Sequence, residues 1–157
     1  MFGLVLDPAG QVLGLLVFVG AVLALALSGY RRAALAFLLA IVGATALGVI
    51  LKEAIARPPV DPSPDGDGYT FPSGHALRSM ALASALVLIA WPTRWRWPVA
   101  ASGAIAVALT GIGVVYHEWH WASDVVGGWC VAVAWVACVW LALRPPPVPD
   151  LSFGRAP

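Results

Sequence analysis

Two short polar groups, set at the ends of long apolar stretches, are the parts of this chain that could carry chemistry. The first is the run Pro72-Ser73-Gly74-His75, which offers a hydroxyl, an unhindered backbone and an imidazole. The second is His120 with Asp124, an imidazole and a carboxylate. Apolar segments of bilayer length rarely retain ionisable groups without a functional need. These groups are therefore the first candidates for a functional site.

The spacing of His120 and Asp124 predicts that they act together. The two residues are four apart at the start of an apolar run, so both lie on one face of a helix. A carboxylate in this position can hold an imidazole in one tautomer and leave the other nitrogen free as a nucleophile or base. A capped helix start with an interfacial histidine explains the same pair equally well.

Ser73 and Gly74 predict a helix start that is suited to an anion. Ser73 is a natural N-cap, and Gly74 lets the backbone approach a ligand closely. The free N–H groups of such a helix start favour a phosphate. A serine-capped helix entered through a proline, without any ligand, is the simpler alternative.

Three cations are candidates for phosphate binding. Lys52 and Arg57 follow an apolar run, where they could bind a phosphate or extend to the lipid headgroups. Arg78 comes three residues after His75, one turn along the same helical face. A charge in that segment is costly and favours an anionic partner. The alternatives for Arg78 are extension to the headgroups or an ion pair with Glu53 or Glu118.

Two further motifs resemble metal sites, and both are incomplete. His117 and His120 are one residue closer than the spacing of helical zinc proteases, and no cysteine is near them. The run Asp65-Gly66-Asp67-Gly68 lacks the distant glutamate of a calcium loop and is typical of a flexible loop. We therefore expect no metal and no other cofactor.

The elements that must position these groups are membrane helices. The chain has 157 residues, of which 61% are hydrophobic and 11% charged, against about 45–50% and about 25% in soluble domains. With a net charge of +1 and no basic cluster, nucleic acid is excluded as a partner. We expect an all-α, integral membrane helical bundle, a single domain over residues 1–157. Its five transmembrane helices are predicted at 11–27, 33–51, 73–90, 98–116 and 124–143, with a loop at 52–72 and a tail at 144–157. Ala40, Ala44 and Gly48 form a small-residue row suited to close helix packing.

Five spans place the two termini on opposite sides of the membrane, and basic residues orient the bundle. Six of the nine Lys and Arg residues fall on the side of the C-terminal tail, which predicts that this side is cytoplasmic. The polar groups then face the extracytoplasmic side of a cell membrane, and the arginine-rich, alanine-rich composition favours a bacterial origin. The six are Arg31, Arg32, Arg94, Arg96, Arg144 and Arg155, against Lys52, Arg57 and Arg78. Tryptophans form an aromatic belt at each level, namely Trp91, Trp95 and Trp97 on one side and Trp119, Trp121 and Trp129 on the other.

The order of these groups resembles the type 2 phosphatidic acid phosphatases, relatives of the vanadium haloperoxidases. The resemblance covers about residues 51–128, half of the chain, and its specific parts are the runs 72–75 and 120–127. It implies a metal-free helical core and a phospho-histidine intermediate. By position, His120 resembles the nucleophile, Asp124 its orienting partner and His75 the acid that protonates the leaving group. Ser73, Gly74 and Lys52 resemble phosphate-binding groups.

Two arginines of that family pattern are absent here. The first family motif has six residues between its lysine and its Arg-Pro, which places Pro59 at the expected arginine. The third begins with Ser-Arg six residues before the nucleophile, where this chain has Gly113 and Val114. An arginine that stabilises a transferring phosphoryl group contributes about 10³–10⁵ in rate. We therefore expect Arg57 and Arg78 to supply the missing charge.

The resemblance implies a lipid phosphatase of the cell envelope. Its substrate would be a membrane lipid phosphate: a polyprenyl phosphate or diphosphate, phosphatidic acid or a phosphorylated lipid-linked sugar. A lipid phosphotransferase is one alternative, and a catalytically silent lipid-phosphate binding or transport protein is another. The bilayer and the lipid substrate are the expected partners, and the sequence leaves a homo-oligomer open.

Overall fold

The computed structural model describes residues 8–60 and 68–148, and every regular element in these ranges is an α-helix. Five helices follow one another along the chain, and each overlaps one of the predicted apolar runs. They are α1 (Pro8–Leu27), α2 (Arg31–Ile55), α3 (Gly74–Ala90), α4 (Arg96–Tyr116) and α5 (Ala122–Leu143). The predicted all-α fold class is confirmed. Residues 61–67 of the predicted loop, which include Asp65, and residues 149–157 of the predicted tail lie outside the described residues.

The helices are apolar enough to place the chain in a membrane. In length and hydropathy, α2, α4 and α5 suffice to cross a bilayer, while α3 and residues 12–27 of α1 form shorter apolar helices. The protein is a multi-pass membrane protein built as a helical bundle. The predicted organisation as a single domain, with its span boundaries and its loop, stays a prediction.

Helix α2 continues beyond the apolar run of the sequence. Lys52 and Glu53 are still helical, and the helix ends at Ala56, which adopts a left-handed conformation and donates its N–H to the Lys52 carbonyl. Hydrophobicity marks the bilayer thickness, whereas backbone hydrogen bonds decide where a helix ends. The extension holds Lys52, the first residue after the apolar run, in the last helical turns, on the helix end that faces the starts of α3 and α5.

Helix α3 is the centre of the bundle, and small residues let its neighbours come close. It contacts α2, α4 and α5, while α1 packs on the outer side of α2. Ala40, Ala44 and Gly48 of α2 are all buried, which confirms the predicted packing row. A side-chain carbon at Gly48 would meet Leu77 of α3 at 3.1 Å.

The starts of α3 and α5 are joined through their backbones. The Ser73 N–H donates to the Asp124 carbonyl at 3.0 Å. One turn along α5, a side-chain carbon at Gly128 would lie 2.9 Å from the Ser73 carbonyl oxygen, and the Phe71 ring packs against Gly127. The two polar motifs of the sequence therefore meet where these helices cross.

An apolar groove lies between α3, α4 and α5, because α4 and α5 touch at few positions. Its volume is about 750 Å³, and Met80, Val87, Gly103, Trp129, Val136 and Trp140 are among its lining residues. Trp129, assigned above to the outer aromatic belt, is half-buried and packs against Val114 and Val125. The assignment of Trp129 to the belt was wrong, because the missing side chain of Gly111 leaves room for its ring.

We predict that Gly128→Ala destabilises the fold. The added methyl would clash with the Ser73 carbonyl, which is backbone held by its own hydrogen bonds, and overpacking of this kind costs about 1–3 kcal/mol. Thermal unfolding in detergent measures the effect. The control is Gly20→Ala on α1, where an added carbon meets nothing within 4 Å. Equal melting temperatures for the two variants would contradict the prediction.

Candidate active site

Asp124 is the residue on which the other polar groups converge. It is fully buried in the first turn of α5. One carboxylate oxygen, Oδ2, accepts a hydrogen bond from the Trp121 N–H at 3.1 Å and so caps its own helix. The other, Oδ1, lies 2.6 Å from Nη1 of Arg57, in the segment after α2. A buried carboxylate requires such partners, because an unpaired charge in a protein interior is strongly destabilising.

His120 lies just before α5, beside the Oδ2 oxygen of this carboxylate. Its Nδ1 is 3.8 Å from Asp124 Oδ2, and the side chain is only 10% exposed. That separation is too long for a hydrogen bond. His120 Nδ1 is buried and has no hydrogen-bond partner among the described residues.

Burial lowers the pKa of His120, and the nearby Lys52 ammonium lowers it further. The Asp124 carboxylate and a hydrogen bond to the Thr70 backbone act in the opposite direction but do not compensate. The imidazole is consequently neutral at pH 7, the state in which a histidine can act as a nucleophile or base.

His75 occupies the first turn of α3, directly after the Ser73 cap. Its Nε2 is buried and, within the described ranges, has no hydrogen-bond partner. The Trp119 ring lies beside it, with the two ring centres 6.1 Å apart. Lys52, Arg78 and His120 are all close enough to interact electrostatically with this imidazole. The two histidines, which are 45 residues apart in sequence, therefore belong to one site.

Lys52 and Arg78 bring positive charge to this site, and neither forms an ion pair with any described residue. Lys52, half-buried at the end of α2, acts electrostatically on both imidazoles. The Arg78 guanidinium folds back along α3, where a side-chain carbon at Gly74 would lie 3.8 Å from its Nη2. The alternative pairing of Arg78 with Glu53 or Glu118 is not observed, since both ion pairs of the described residues involve Asp124.

Ser73 and Gly74 form the predicted helix start. The Ser73 hydroxyl accepts the Ala76 N–H at 3.5 Å, which confirms the N-cap. Its own N–H is used by the Asp124 carbonyl, so only the hydroxyl hydrogen of Ser73 is left to reach a ligand. The first N–H groups of a helix have no partner inside the helix, and those of α3 lie beside Arg78.

The structure thus brings all eight predicted site residues to the ends of α2, α3 and α5. Arg57 is bound to Asp124 and to the Ser123 hydroxyl, whereas Lys52 and Arg78 have no such partner among the described residues. Sequence reasoning missed Ser123, Trp121, Thr70 and Trp119, which contact the site residues named above. The only signal for them was adjacency to one of the two motifs, the run 72–75 for Thr70 and the pair of His120 and Asp124 for the others, because single polar or aromatic neighbours carry no periodic pattern.

One of the two positions of the absent family arginines, Val114, is taken up by apolar packing. Val114 is fully buried and forms a small apolar cluster with Ala76 and Val125. Gly113 is buried beside it, at the end of α4. An arginine at Val114 would enter this cluster, whose members Ala76 and Val125 directly follow His75 and Asp124 in the sequence. The positive charge of the site therefore comes from α2 and α3 and not from α4.

Residues 33–145 match the family model described as the PAP2 superfamily. This is well over half of the 157 residues, and the chain belongs to the PAP2 superfamily. The resemblance drawn from the sequence motifs is thereby confirmed.

The chain is also similar to a protein of Sulfolobus acidocaldarius named undecaprenyl-diphosphatase. The two are 30% identical over 115 residues, which is 68% of this chain and 53% of that protein. The chain therefore spans about half the length of the curated relative that it matches. No solved structure matches the chain.

No group of three or more His, Cys, Asp or Glu side chains in the described residues is arranged to hold a metal ion. The expectation that the site works without a metal stays a prediction.

We predict that His120 titrates below its ordinary pKa of about 6.5. The direction follows from burial and from the Lys52 charge, and removal of that charge in Lys52→Gln should move the pKa of His120 upward. NMR of ¹³C-labelled histidine, with His120→Asn to assign the signal, measures both values. Arg94→Gln, at the far end of the bundle, is the control. A wild-type pKa above 6.5, or the same pKa in Lys52→Gln, would contradict the prediction.

Proposed function

We propose that this protein is a membrane lipid phosphatase that works through a phospho-histidine intermediate. The observation that carries the proposal is the meeting of two buried imidazole nitrogens, on His75 and His120, with two cations, Lys52 and Arg78. Among the described residues, the nitrogens have no hydrogen-bond partner and the cations have no acidic partner. Positive charge beside a neutral imidazole suits a phosphate that is to be attacked. Membership of the PAP2 superfamily supports this assignment.

The reaction would proceed in two steps. An imidazole nitrogen of His120 forms a bond to phosphorus while the bond from phosphorus to the leaving oxygen breaks, and His75 gives its proton to that oxygen. A water molecule then attacks the phosphorus of phospho-His120, the bond from phosphorus to the His120 nitrogen breaks, and a proton of the water passes to His75. The second step releases inorganic phosphate and restores both histidines.

Asp124 and the cations would support these steps. The carboxylate stabilises the positive charge that develops on His120 as it attacks. Lys52 and Arg78, with the first N–H groups of α3 and the Ser73 hydroxyl, would hold the phosphate oxygens and the charge that they gain. In this arrangement α2 and α3 carry the charge that the family pattern places at Pro59 and Val114.

The substrate would be a lipid that carries a terminal phosphate. The site lies at the ends of membrane helices. The apolar groove between α3, α4 and α5 lies close to it, because Trp129, which lines the groove, packs against the cluster that contains Val125, the residue after Asp124. Polyprenyl phosphates and diphosphates are favoured, because the relative from Sulfolobus acidocaldarius is named an undecaprenyl-diphosphatase. Phosphatidic acid and phosphorylated lipid-linked sugars are the other substrates to be tested.

The site would face the extracytoplasmic side of the cell membrane. This part of the proposal rests on the excess of Lys and Arg at the opposite ends of the helices. Four of these arginines lie at helix ends away from His75 and His120. They are Arg31 and Arg32 at the start of α2, Arg94 just before α4 and Arg96 at the start of α4.

The decisive experiment is phosphate release from a panel of lipid phosphates by the purified protein. We expect release in the presence of a chelator, inhibition by vanadate, and a loss of several orders of magnitude in His120→Ala and His75→Ala, since removal of a nucleophile abolishes the covalent route. His117→Ala is the matched control, because His117 is exposed. An inactive wild type that still binds lipid phosphates would favour the silent binding protein, which the two absent arginines make the second candidate.

We predict that Arg78 is required for turnover. Arg78→Ala should lower kcat/KM by about 10³-fold or more, because one arginine at a transferring phosphoryl group contributes about 10³–10⁵. Arg78→Lys should retain only part of the wild-type kcat/KM, since lysine lacks the planar guanidinium that can donate two parallel hydrogen bonds. Steady-state kinetics with the best substrate of the panel measures both. Hydrolysis by Arg78→Ala within a few-fold of wild type would show that Arg78 does not replace the absent arginines.

A further inference from the structure

Arg57 differs from the other cations of the site in its contacts, because its guanidinium is bound directly to side chains of α5. Its Nη1 donates to Asp124 Oδ1 at 2.6 Å and to the Ser123 hydroxyl oxygen at 2.7 Å. Its guanidinium carbon lies over the Trp121 ring, 5.4 Å from the ring centre. All three partners belong to the N-cap and first turn of α5. Arg57 therefore ties the segment after α2 to the start of α5.

The charge of Arg57 is directed at the carboxylate. Both side-chain hydrogen bonds of its guanidinium among the described residues go to the first turn of α5, to Asp124 and to Ser123. A guanidinium held at 2.6 Å from a fully buried carboxylate is already neutralised. Release of Arg57 toward a phosphate would leave Asp124 buried without a counter-charge, which is strongly unfavourable.

The contacts also fix the rotation of the Asp124 carboxylate. Oδ1 is held by Arg57, while Oδ2 accepts the Trp121 N–H and is the oxygen that faces His120 Nδ1. Because each oxygen is held by a different partner, the Asp124 carboxylate cannot rotate so that the two oxygens exchange places. Without Arg57, the Trp121 N–H would be the one hydrogen bond left to the carboxylate among the described residues, and the carboxylate could rotate about it.

We propose that Arg57 is a positioning residue: it holds the Asp124 carboxylate so that Oδ2 faces the nucleophilic imidazole of His120, and it does not bind the phosphate. This rests on the proposed function, and it assigns Arg57 a role other than the phosphate ligand that the sequence predicts. The phosphate-binding cations are then Lys52 and Arg78.

The test separates catalysis from phosphate binding. Arg57→Gln should lower kcat by about 100-fold, the scale of a misplaced catalytic group, while the inhibition constant of vanadate, used as the phosphate mimic, stays within a few-fold of wild type. Arg78→Ala should raise that constant strongly. If Arg57→Gln raises the vanadate constant as Arg78→Ala does, Arg57 is a phosphate ligand and the proposal is wrong. If neither kcat nor the constant changes, the proposal is equally wrong.

The matched control is Arg96→Gln. Arg96 also lies over a tryptophan, Trp97 at 5.7 Å, but has no acidic partner among the described residues, so its loss should leave kcat unchanged.

A second variant covers the case in which Arg57→Gln does not fold. Arg57→Lys keeps the charge but not the planar contact with Ser123 and Asp124, and it should lower kcat at an unchanged vanadate constant. If Arg57→Lys keeps the full wild-type kcat, the guanidinium is not required and the proposal is contradicted.

Chemical rescue is a measurement that a purely structural role of Arg57 would not affect. Guanidinium ion added to Arg57→Gly should recover part of kcat without changing the vanadate constant, whereas it should do nothing for His120→Ala. Absence of rescue in a folded Arg57→Gly protein would count against positioning by the guanidinium. An inactive wild type would instead refute the proposed phosphatase function, before any Arg57 variant is compared.

Discussion

The rest of the site depends on one buried carboxylate, that of Asp124. A fully buried charge is stable only when its oxygens are paired, and the partners here come from different elements: Arg57 after α2, the backbone of Trp121 before α5, and His120. Through its own carbonyl, the same residue receives the Ser73 N–H at the start of α3. The ends of three helices are therefore fixed around a single side chain. A change at Asp124 would affect the helix start, the imidazole and the crossing of α3 with α5 together.

The close crossing of α3 and α5 has a packing cause as well. Gly128 lies where a side-chain carbon would stand 2.9 Å from the Ser73 carbonyl, and Gly127 accommodates the Phe71 ring. The glycines bring the two backbones near enough for the Ser73 hydrogen bond, and that bond places His75 and His120 in one site. The chemistry of the site thus rests on small residues that themselves have no chemical group to offer.

The departures of this chain from the family pattern are matched by a redistribution of charge. The position of one family arginine, Val114, is part of an apolar cluster, and the other is Pro59. Lys52 and Arg78, which lack acidic partners in the described residues, stand beside the imidazoles from α2 and α3. If the proposed function is correct, the phosphate is held mainly by the helices that carry the first two motifs, while α5 supplies the nucleophile and the carboxylate that supports it.

The sequence by itself determined the helical membrane fold, the packing row of Ala40, Ala44 and Gly48, the Ser73 cap and the family, because hydrophobic length, small-residue spacing and short motifs are local properties. It also predicted that His120 and Asp124 share one helical face. The two do lie side by side, 3.8 Å apart, but His120 precedes the N-cap Trp121 and is not part of the helix. Only the tertiary structure decided the partner of each cation. Arg57, Lys52 and Arg78 are equivalent in the sequence as cations near helix ends, but Arg57 alone reaches Asp124, 67 residues away. Such pairing depends on where helix ends meet in space, and no periodicity along the chain records that distance.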